Sequence, residues 1–467
     1  NKHIKQTQLK MLNPLTKTFP ALSEHSGLRY FSFALLYVAQ GIPEGMTYFG
    51  IPAWLAMNGK SAADIGAYVA VIGIPWTFKM LIAPLMDRFS YLPMGRRRPW
   101  IIFGQLGLLF AFIGMAMVPE PLTNFKLLMA AGFCVSLFSA FQDVAVDGMA
   151  IDIVPVHQQA RANGFMWGAR IMGVSASLAA GSWILNHYGF RISILSLSAA
   201  ISIIMFVPIL FRERPGEKLL PWSKGVVSQN SLQLQLDSWA KIFKSLGRVI
   251  IMPYSLLIGL IGFLVGTTVS YMNTLLPVFT VQALGWTNEM YSNINAVSSI
   301  VGGVLGMVVG GAFADLFGKK RMLSVYLIAS IAIAVIMCFS KTYWSNYWFS
   351  AGFVIVYNIL YVFIMVGFLA ITMELCWKKI SASQFAMFMA ISNFGWITGS
   401  AIIGTAREHF SWQFSILVFA FIAAIALIPL QFMNTKTHLK QLEKIDEADK
   451  RRTLLTDNLQ TLNTLYT

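Results

Sequence analysis

Five charged residues lie inside long apolar stretches of the chain: Glu44, Lys79, Asp143, Asp147 and Arg170. An ionisable side chain at membrane depth costs roughly 3 kcal/mol or more, and it usually faces a cavity or an oppositely charged partner. Asp143 and Asp147 are four residues apart and therefore share one face of a helix. Two carboxyl groups this close favour sharing a proton, which suits a proton carrier. We predict Asp143, Asp147 and Glu44 as proton-coupling residues.

Each of these carboxyl groups also has a structural interpretation. The two aspartates can anchor their helix by pairing with a nearby arginine, for which Arg98, Arg161 and Arg170 are candidates. Glu44 can be a solvated residue at the mouth of a cavity. Asp152 is assigned to the loop that follows the helix. Residue type and spacing leave both interpretations open.

The two cations predict a preference for an anionic ligand. A buried lysine must pair or lose its proton, and Asp143 is a candidate partner for Lys79. We predict Lys79 and Arg170 as substrate contacts, with a structural ion pair between helices as the alternative. Glu374 lies near the two lysines at 378–379, so we expect an ion pair there rather than a coupling site.

Polar and aromatic side chains in the same stretches are weaker candidates for substrate contact. Most buried aromatic residues serve packing, so we expect only a minority of them to touch a ligand. The further candidates are Gln40, Tyr48, Trp76, Trp167, Tyr271, Asn273, Asn295, Asn393 and Trp396.

Enzyme chemistry is not indicated. The six histidines and three cysteines lack metal-ligand spacing. A phosphate-binding P-loop, an H-E-x-x-H motif and a G-x-S-x-G motif are all missing from the sequence. We predict no catalytic residue, no metal and no cofactor.

The elements that position these residues follow from composition. Of 467 residues, 56% are hydrophobic and 12% charged, about half the charged fraction of an average soluble domain. A membrane-spanning helix needs about 20 mostly apolar residues, and backbone hydrogen bonding inside a bilayer favours helices. The sequence predicts an all-α membrane protein with twelve such stretches: 28–57, 65–86, 99–118, 124–147, 160–185, 190–211, 250–280, 290–314, 322–340, 346–375, 383–406 and 412–433.

The net charge of +15 is explained by the distribution of basic residues between the two sides of the membrane. Of the 35 Lys and Arg residues, 28 lie on the side that carries both termini, five on the opposite side and two within the stretches. The positive-inside rule therefore predicts cytoplasmic termini, with no nucleic-acid partner. We expect an N-terminal segment 1–27, a six-helix bundle 28–211, a linker 212–249 with a basic amphipathic helix, a second bundle 250–433 and a tail 434–467.

A loop motif occurs twice, after the second and the eighth stretch. Each copy has an aspartate at the helix end, then a glycine that permits a tight turn, then basic residues that can bridge to neighbouring helices. We predict that these loops gate a conformational change. Their residues are Asp87, Arg88, Gly95, Arg96 and Arg97 in the first copy, and Asp315, Gly318, Lys319, Lys320 and Arg321 in the second.

The doubled loop, the twelve stretches and the central linker together resemble the major facilitator superfamily. The segments Gln40–Gly45, Trp76–Arg88 and Gln142–Gly148 are similar to its peptide and acetyl-coenzyme A transporter branch, which includes muropeptide permeases and bacterial siderophore permeases. The resemblance implies two pseudo-symmetric six-helix bundles around a central substrate cavity.

The function implied is secondary active transport by alternating access. We expect proton-coupled uptake of a sizeable anionic metabolite by a monomer in a bacterial inner membrane. The alternative is efflux by proton antiport, although the fifth stretch lacks the Gly-Pro signature of drug antiporters. A muropeptide, a siderophore and a coenzyme A ester all remain compatible with the residues.

Overall fold

The structure, a computed structural model, describes residues 20–448 with the exception of residue 237. The predicted N-terminal segment 1–27 and tail 434–467 therefore fall partly outside the described residues. Between those limits the chain folds into helices joined by short turns, as an apolar chain in a bilayer requires. The all-α prediction is confirmed.

Twelve helical spans run through the described chain, and three of them change helix type or break on the way. The first six are Ser26–Glu44 continued by Gly45–Gly50 and Ile51–Met57 (span 1), Ala62–Thr77 with Lys79–Arg88 (span 2), Arg98–Ala116 (span 3), Phe125–Ile153 (span 4), Gln159–Tyr188 (span 5) and Phe190–Leu210 (span 6). The others are Pro253–Gln282 (span 7), Asn288–Leu305 continued by Gly306–Gly310 and Gly311–Phe317 (span 8), Lys319–Phe339 (span 9), Tyr347–Glu374 (span 10), Ser381–His409 (span 11) and Trp412–Phe432 (span 12).

Ten of these helices are long and apolar enough to cross a membrane. Spans 1 and 5 have the length but carry more polar residues, among them Glu44 and Arg170. The most polar helices of the first half are therefore those that hold the predicted functional residues. Polar side chains at membrane depth face the bundle interior, which places spans 1 and 5 towards the centre of the fold.

Spans 1 and 5 pack closely through glycines. A methyl group added to Gly173 of span 5 would lie 2.6 Å from the carbonyl oxygen of Val38 in span 1, and one on Gly41 would meet the backbone at Arg170. Small residues let two helix backbones approach in this way. The equivalent pair in the second half, spans 7 and 11, uses Gly266 and Gly395 in the same manner.

The two halves repeat one packing scheme. Span 2 packs on 4, and span 3 packs on 4 and 6; six spans later, 8 packs on 10, and 9 packs on 10 and 12. The fold is thus a pair of pseudo-symmetric six-helix bundles. We call the membrane face that carries residues 212–249 the linker side, and the opposite face the far side.

The described part of the linker forms short helices and turns on the linker side and contains no separate globular domain. The helix Trp239–Ile250 has the amphipathic pattern predicted for it. Its residues Ile242 and Val249 are buried against Trp377, and Leu442 from the helix at 435–448 completes the cluster. The amphipathic helix therefore attaches the linker to the second half.

Candidate functional site

Two ion pairs join helices of the first half. The Nζ atom of Lys79 in span 2 lies 2.9 Å from Oδ2 of Asp143 in span 4. The Nε atom of Arg170 in span 5 lies 2.7 Å from Oε2 of Glu44 in span 1. The first pair is buried, whereas the Arg170 and Glu44 side chains are 20% and 28% exposed. Solvent or a ligand therefore has access to the second pair.

Tryptophan rings connect the two cations. The Arg170 guanidinium lies 5.1 Å from the ring centroid of Trp167 and 5.7 Å from that of Trp76. The Lys79 ammonium lies 5.6 Å from the same Trp76 ring. Cation–π contacts of this kind hold a cation in place without neutralising it. Lys79 and Arg170 thus belong to one cluster with a shared aromatic wall.

Asp147 has a different environment from the other two carboxyl groups. The Tyr37 hydroxyl of span 1 donates a hydrogen bond to Asp147 Oδ1. Among the described residues, no lysine, arginine or histidine pairs with Asp147, which is 5% exposed. The cluster therefore contains three carboxyl groups and two cations. A lone buried carboxylate is expensive, so one added proton would balance the cluster.

Local breaks in the helices present these side chains. Phe78, with φ −95° and ψ 8°, ends the first helix of span 2 and places Lys79 in the first turn of the second. In span 1 the α-helix changes to a π-helical turn directly after Glu44, behind Pro43. Such π-turns often accompany functional sites. Both interruptions lie directly next to a residue predicted as functional, Lys79 in span 2 and Glu44 in span 1.

Span 4 is longer than predicted, which changes the position of the aspartates. It continues to Ile153, so Asp147 lies about two turns and Asp143 about three turns before the end of the helix rather than at its end. The assignment of Asp152 to a loop is wrong, because this residue is buried in the last turn and bonds Arg96 and Arg97. Apolar residues flank Asp152, so the sequence does not indicate where span 4 ends.

Several buried amides in the first half lack protein partners. Both polar atoms of the Gln40 side chain and of the Gln105 side chain are buried without a hydrogen bond, as is Oε1 of Gln142. Gln142 Nε2 donates to the Leu36 carbonyl 2.9 Å away, one turn from Gln40. Buried polar groups need partners, so water or a ligand is required there.

Tyr37, Gln105 and Gln142 were missing from the predicted site residues. Tyr37 could have been found from the sequence, because it lies about one turn before the predicted residue Gln40 and shares its helix face. Gln142 precedes Asp143 directly in the sequence. Gln105 stands alone among apolar residues, and only the packing of span 3 on span 4 brings it to this region.

The other aromatic candidates of the first half flank the cluster. Tyr48 is half-buried and donates a hydrogen bond to the Ile72 carbonyl, 3.2 Å away in span 2. The Trp167 indole nitrogen is buried without a partner. Trp76 and Trp167 therefore lie in the cluster, whereas Tyr48 connects spans 1 and 2 beside it.

The candidates of the second half form separate groups. Asn358 donates to Asn295 Oδ1 at 3.1 Å, and Tyr357 donates to Asn273 Oδ1 at the same distance. Tyr271 is fully buried and donates to the Ser415 carbonyl of span 12, so it is closed to a ligand in this conformation. The remaining two, Asn393 and Trp396, are exposed on span 11.

Below the cluster, on the linker side, the first loop motif joins the two halves. Asp87 and Asp152 share Arg97, whose Nε atom lies 3.1 Å from Asp152 Oδ2. Asp87 Oδ2 accepts hydrogen bonds from the amide and hydroxyl of Ser383 at 3.0 and 2.6 Å. Arg96 donates to the Lys378 carbonyl at 2.6 Å. The end of span 2 is thereby attached to the start of span 11.

The remaining residues of the first motif shape this connection. Gly95 has φ 107°, and an added methyl group would lie 2.7 Å from a Glu213 carboxyl oxygen. Burial acts to lower the pKa of Arg97, but the Asp87 and Asp152 carboxylates outweigh it and raise the pKa, so the charge of Arg97 is fixed. Arg88 points elsewhere, with its guanidinium 5.1 Å from the Phe89 ring.

The second motif copy makes an equivalent connection. Asp315 Oδ1 and Oδ2 accept from the backbone amides of Ala160 and Arg161 at 3.1 and 2.9 Å, at the start of span 5. Anions are favoured at a helix N-terminus. Lys319 lies 2.9 Å from Glu374, so the predicted pairing of Glu374 with the lysines at 378–379 is wrong.

The other basic residues of this copy have different roles. Lys320 donates to the carbonyls of Gln431 and Met433 at the end of span 12, at 2.6 and 2.9 Å. Gly318 adopts φ 95°, which permits the tight turn that its position predicted. Arg321 is exposed.

Within residues 20–448, polar contacts between the halves concentrate on one side. Among the described residues, every hydrogen bond or ion pair between the bundles lies on the linker side or in the adjoining helix ends. Close packing of span 5 on span 8 extends as far as Gly168 and Gly303. The conformation is therefore closed on the linker side, and the exposed Glu44–Arg170 pair faces the far side.

Comparison with known proteins agrees with this architecture. The family model described as Major Facilitator Superfamily matches residues 33–399 and 260–462. The chain is 24% identical over 402 residues to the anhydromuropeptide permease of Escherichia coli K12, covering 84% of this chain and 76% of that protein. It is also 24% identical to the putative transporter AmpG 4 of Rickettsia conorii, over 88% of this chain and 98% of the relative.

Solved structures match the fold with low sequence identity. The transporter FucP in its outward conformation aligns with a TM-score of 0.63 and 11% identity, over 86% of this chain and 98% of that one. A bacterial homologue of the iron transporter ferroportin, in an outward-facing state, aligns with a TM-score of 0.61 and 12% identity, over 86% and 99%.

Proposed function

The chain belongs to the major facilitator superfamily, and on that premise we propose that it couples the uptake of an anionic metabolite to protons by alternating access. The chemical class we favour is a muropeptide. A relative named anhydromuropeptide permease covers 84% of the chain, and the cluster offers two cations beside aromatic surfaces. Aromatic faces pack against sugar rings, and cations bind peptide carboxylates.

One observation carries the proposal, namely the excess of carboxyl groups over cations in the cluster. Lys79 is paired with Asp143 and Arg170 with Glu44, which leaves the Tyr37 hydroxyl as the partner of Asp147 in the described part of the chain. Three carboxylates and two cations carry a net negative charge, which repels an anion. Binding of a proton removes that charge, so protonation and anion binding favour each other.

The exposed ion pair provides the step that links the two ligands. A substrate carboxylate binds the Arg170 guanidinium by displacing Glu44, whose side chain is 28% exposed on the far side. The displaced Glu44 then takes a proton from that side, because a free carboxylate there is costly. Asp147 keeps the second proton within the cluster. The loaded protein is neutral and can close around its ligand.

The direction follows from the topology predicted by charge. The linker side carries most of the Lys and Arg residues, so we place it in the cytoplasm. The conformation described is closed on that side, and it accepts substrate from outside the cell. Opening inward requires separation of the Asp87–Ser383 and Asp315–Ala160 contacts. Release into the cytoplasm and deprotonation then reset the cycle.

The test is uptake of a labelled anhydromuropeptide into proteoliposomes under an imposed pH gradient. We expect acid outside to accelerate wild-type uptake, Glu44→Gln to reduce it, and Asp147→Asn to weaken the response to the gradient without abolishing it, because Glu44 still takes a proton. Asp64→Asn on the far side is the matched control and should behave as wild type. Wild-type rates with full pH response in both cluster variants would rule out these coupling residues.

The same liposomes decide between uptake and efflux. Vesicles that accumulate the ligand only when their interior is acidified, with the linker side outside, would overturn the uptake direction and leave the coupling cluster intact. Absence of any anhydromuropeptide transport, with a pH-dependent exchange of another anion, would overturn the substrate class alone.

A further inference from the structure

A long furrow runs along the outer surface of the first bundle, away from the ion-pair cluster. Its walls are spans 3 and 4, both apolar enough to cross a membrane. One cavity of about 740 Å³ extends from Phe103 to Val118, and a second of about 730 Å³ continues from Phe103 to Arg88 on the linker side. Phe103 lines both, so the two cavities form one furrow.

The transmembrane part of the furrow is longer than one leaflet and can therefore hold an acyl chain. From Phe103 to Met117 the helix rises roughly 21 Å at 1.5 Å per residue. One leaflet of the hydrocarbon core measures about 15 Å. Small residues keep the furrow open: Ala130 and Cys134 line it, and a methyl group added to Gly114 would meet no protein atom within 4 Å.

The linker-side end of the furrow differs from the rest because the cation of Arg88 and the amide of Gln235 lie among its apolar residues. Arg88 lines this end, and its Nε atom is buried without a hydrogen-bond partner. The Nε2 atom of Gln235 donates a hydrogen bond to the Arg88 carbonyl oxygen, 2.7 Å away, and so fixes the end of span 2. The Oε1 atom of Gln235 is buried without a hydrogen-bond partner. Trp100 donates from its indole nitrogen to the Phe89 carbonyl at 2.5 Å.

Further basic residues lie next to this end. The ring of Phe89 lies 5.9 Å from that of Trp239, the first residue of the amphipathic helix Trp239–Ile250. That helix exposes Lys241 and Lys244. Amphipathic helices with basic and aromatic residues lie at the level of lipid headgroups and attract anionic lipids.

We propose that the furrow is a binding site for one anionic phospholipid of the linker-side leaflet, with its phosphate at Arg88 and an acyl chain between spans 3 and 4. The apolar walls accept the chain, and the unpartnered guanidinium nitrogen complements the headgroup charge. The proposal depends on the position of the chain in a membrane and not on its transported substrate.

The experiment is native mass spectrometry of the purified protein titrated with phosphatidylglycerol or with phosphatidylcholine of the same acyl chains. We expect wild type to retain one phosphatidylglycerol under conditions that remove phosphatidylcholine. Arg88→Gln should weaken phosphatidylglycerol retention about tenfold, as loss of a charge-assisted contact does, and Arg88→Lys should recover part of it. Equal retention of the two lipids by wild type would overturn the proposal.

A second variant tests the acyl-chain part and keeps the test valid if Arg88→Gln fails to fold. Gly114→Phe fills the furrow and should abolish selective lipid retention. Gly352→Phe is the matched control, because Gly352 lines a groove of about 220 Å³ with only apolar residues. Retention by Gly114→Phe at the wild-type level would contradict the site.

Cys134 gives an independent readout, since it is exposed in the furrow while Cys338 and Cys376 are buried. Phosphatidylglycerol should slow the reaction of Cys134 with a maleimide several-fold, and phosphatidylcholine should slow it less. An unchanged rate with both lipids would show that no chain occupies the furrow.

Discussion

Lys79 and Asp143 illustrate what a sequence can predict at the scale of single residues. A buried lysine needs a partner, and few acidic residues at membrane depth were available, so the pairing was predicted. The Glu44–Arg170 pair was missed, because Arg170 had equally good candidates in span 4. Sequence spacing could not reveal that spans 1 and 5 pack side by side through glycines.

The Lys79–Asp143 pair should show strong coupling in thermal unfolding of the purified protein. Asp143→Asn leaves a buried ammonium group unpaired, so we expect a loss of about 3–5 kcal/mol in the free energy of unfolding. The double variant Lys79→Gln with Asp143→Asn removes both charges and should recover more than half of that loss. If the double variant is as unstable as the two single losses added together, the two side chains do not interact.

Glu217 should make the stability depend on pH. Burial and the neighbouring Glu213 carboxyl raise the pKa of Glu217 from 4.5 to about 8. Between these values the folded protein holds a proton that the unfolded chain has released, so the free energy of unfolding falls as pH rises. One group contributes at most about 1.4 kcal/mol per pH unit.

Unfolding temperatures measured from pH 5 to pH 9 check this dependence. Glu217→Gln should flatten the decline, since an amide stays neutral throughout. Glu443→Gln, on the exposed tail helix, should retain the wild-type slope. A decline that is identical in Glu217→Gln would assign the pH dependence to other groups.

At the scale of elements, the number and type of the spans were predictable and their internal breaks were not. Long apolar stretches predict helices, whereas the interruption at Phe78 and the π-helical turn Gly45–Gly50 occur within such stretches. Both breaks lie within stretches that are apolar enough to be predicted as single spans, so overall apolar composition carries no signal for them. Pro43 and Pro75 suggest irregularity near both sites but not its form.

The contact between spans 1 and 5 should tolerate no added volume. Gly173→Ala would place its methyl group 2.6 Å from the Val38 carbonyl oxygen and 3.0 Å from Val38 Cα, where backbone cannot yield. We expect a loss of about 1–3 kcal/mol in stability, together with reduced uptake, measured by unfolding and by transport assays.

Gly352→Ala provides the control for this substitution. Its methyl group would meet nothing within 4 Å, and alanine is the better helix former by up to about 1 kcal/mol. This variant should be as stable as wild type or more so. Equal behaviour of the two variants would mean that spans 1 and 5 can separate without cost.

At the scale of the whole molecule, the twelve spans and the doubled loop motif were enough to predict the fold. The repeat was readable because both copies kept an aspartate, a glycine and adjacent cations. The conformational state was not readable, since it depends on contacts such as Asp87 with Ser383, residues separated by 296 positions. The same sequence must fold into every conformation of the transport cycle, so it does not indicate which one is adopted.

A reversible cross-link between the halves tests whether spans 5 and 8 must separate. A methyl group on Gly303 would lie 3.6 Å from the Ile171 Cβ atom, within the range of a disulfide. In a Cys134→Ser background, Ile171→Cys with Gly303→Cys should lose uptake on oxidation and regain it on reduction. Each single cysteine variant should be insensitive to oxidant, and continued uptake by the oxidised pair would contradict alternating access through this contact.

The separation of Glu44 and Arg170 along the chain also has a consequence for synthesis of the protein. The two residues are 126 positions apart. At roughly 5–20 residues per second, span 5 follows span 1 from the ribosome after roughly six seconds or more. During that interval the Arg170 guanidinium has not been made, so span 1 is synthesised without the partner that Glu44 has in the folded protein. Span 1 therefore acquires its final partner only when most of the first bundle has been made.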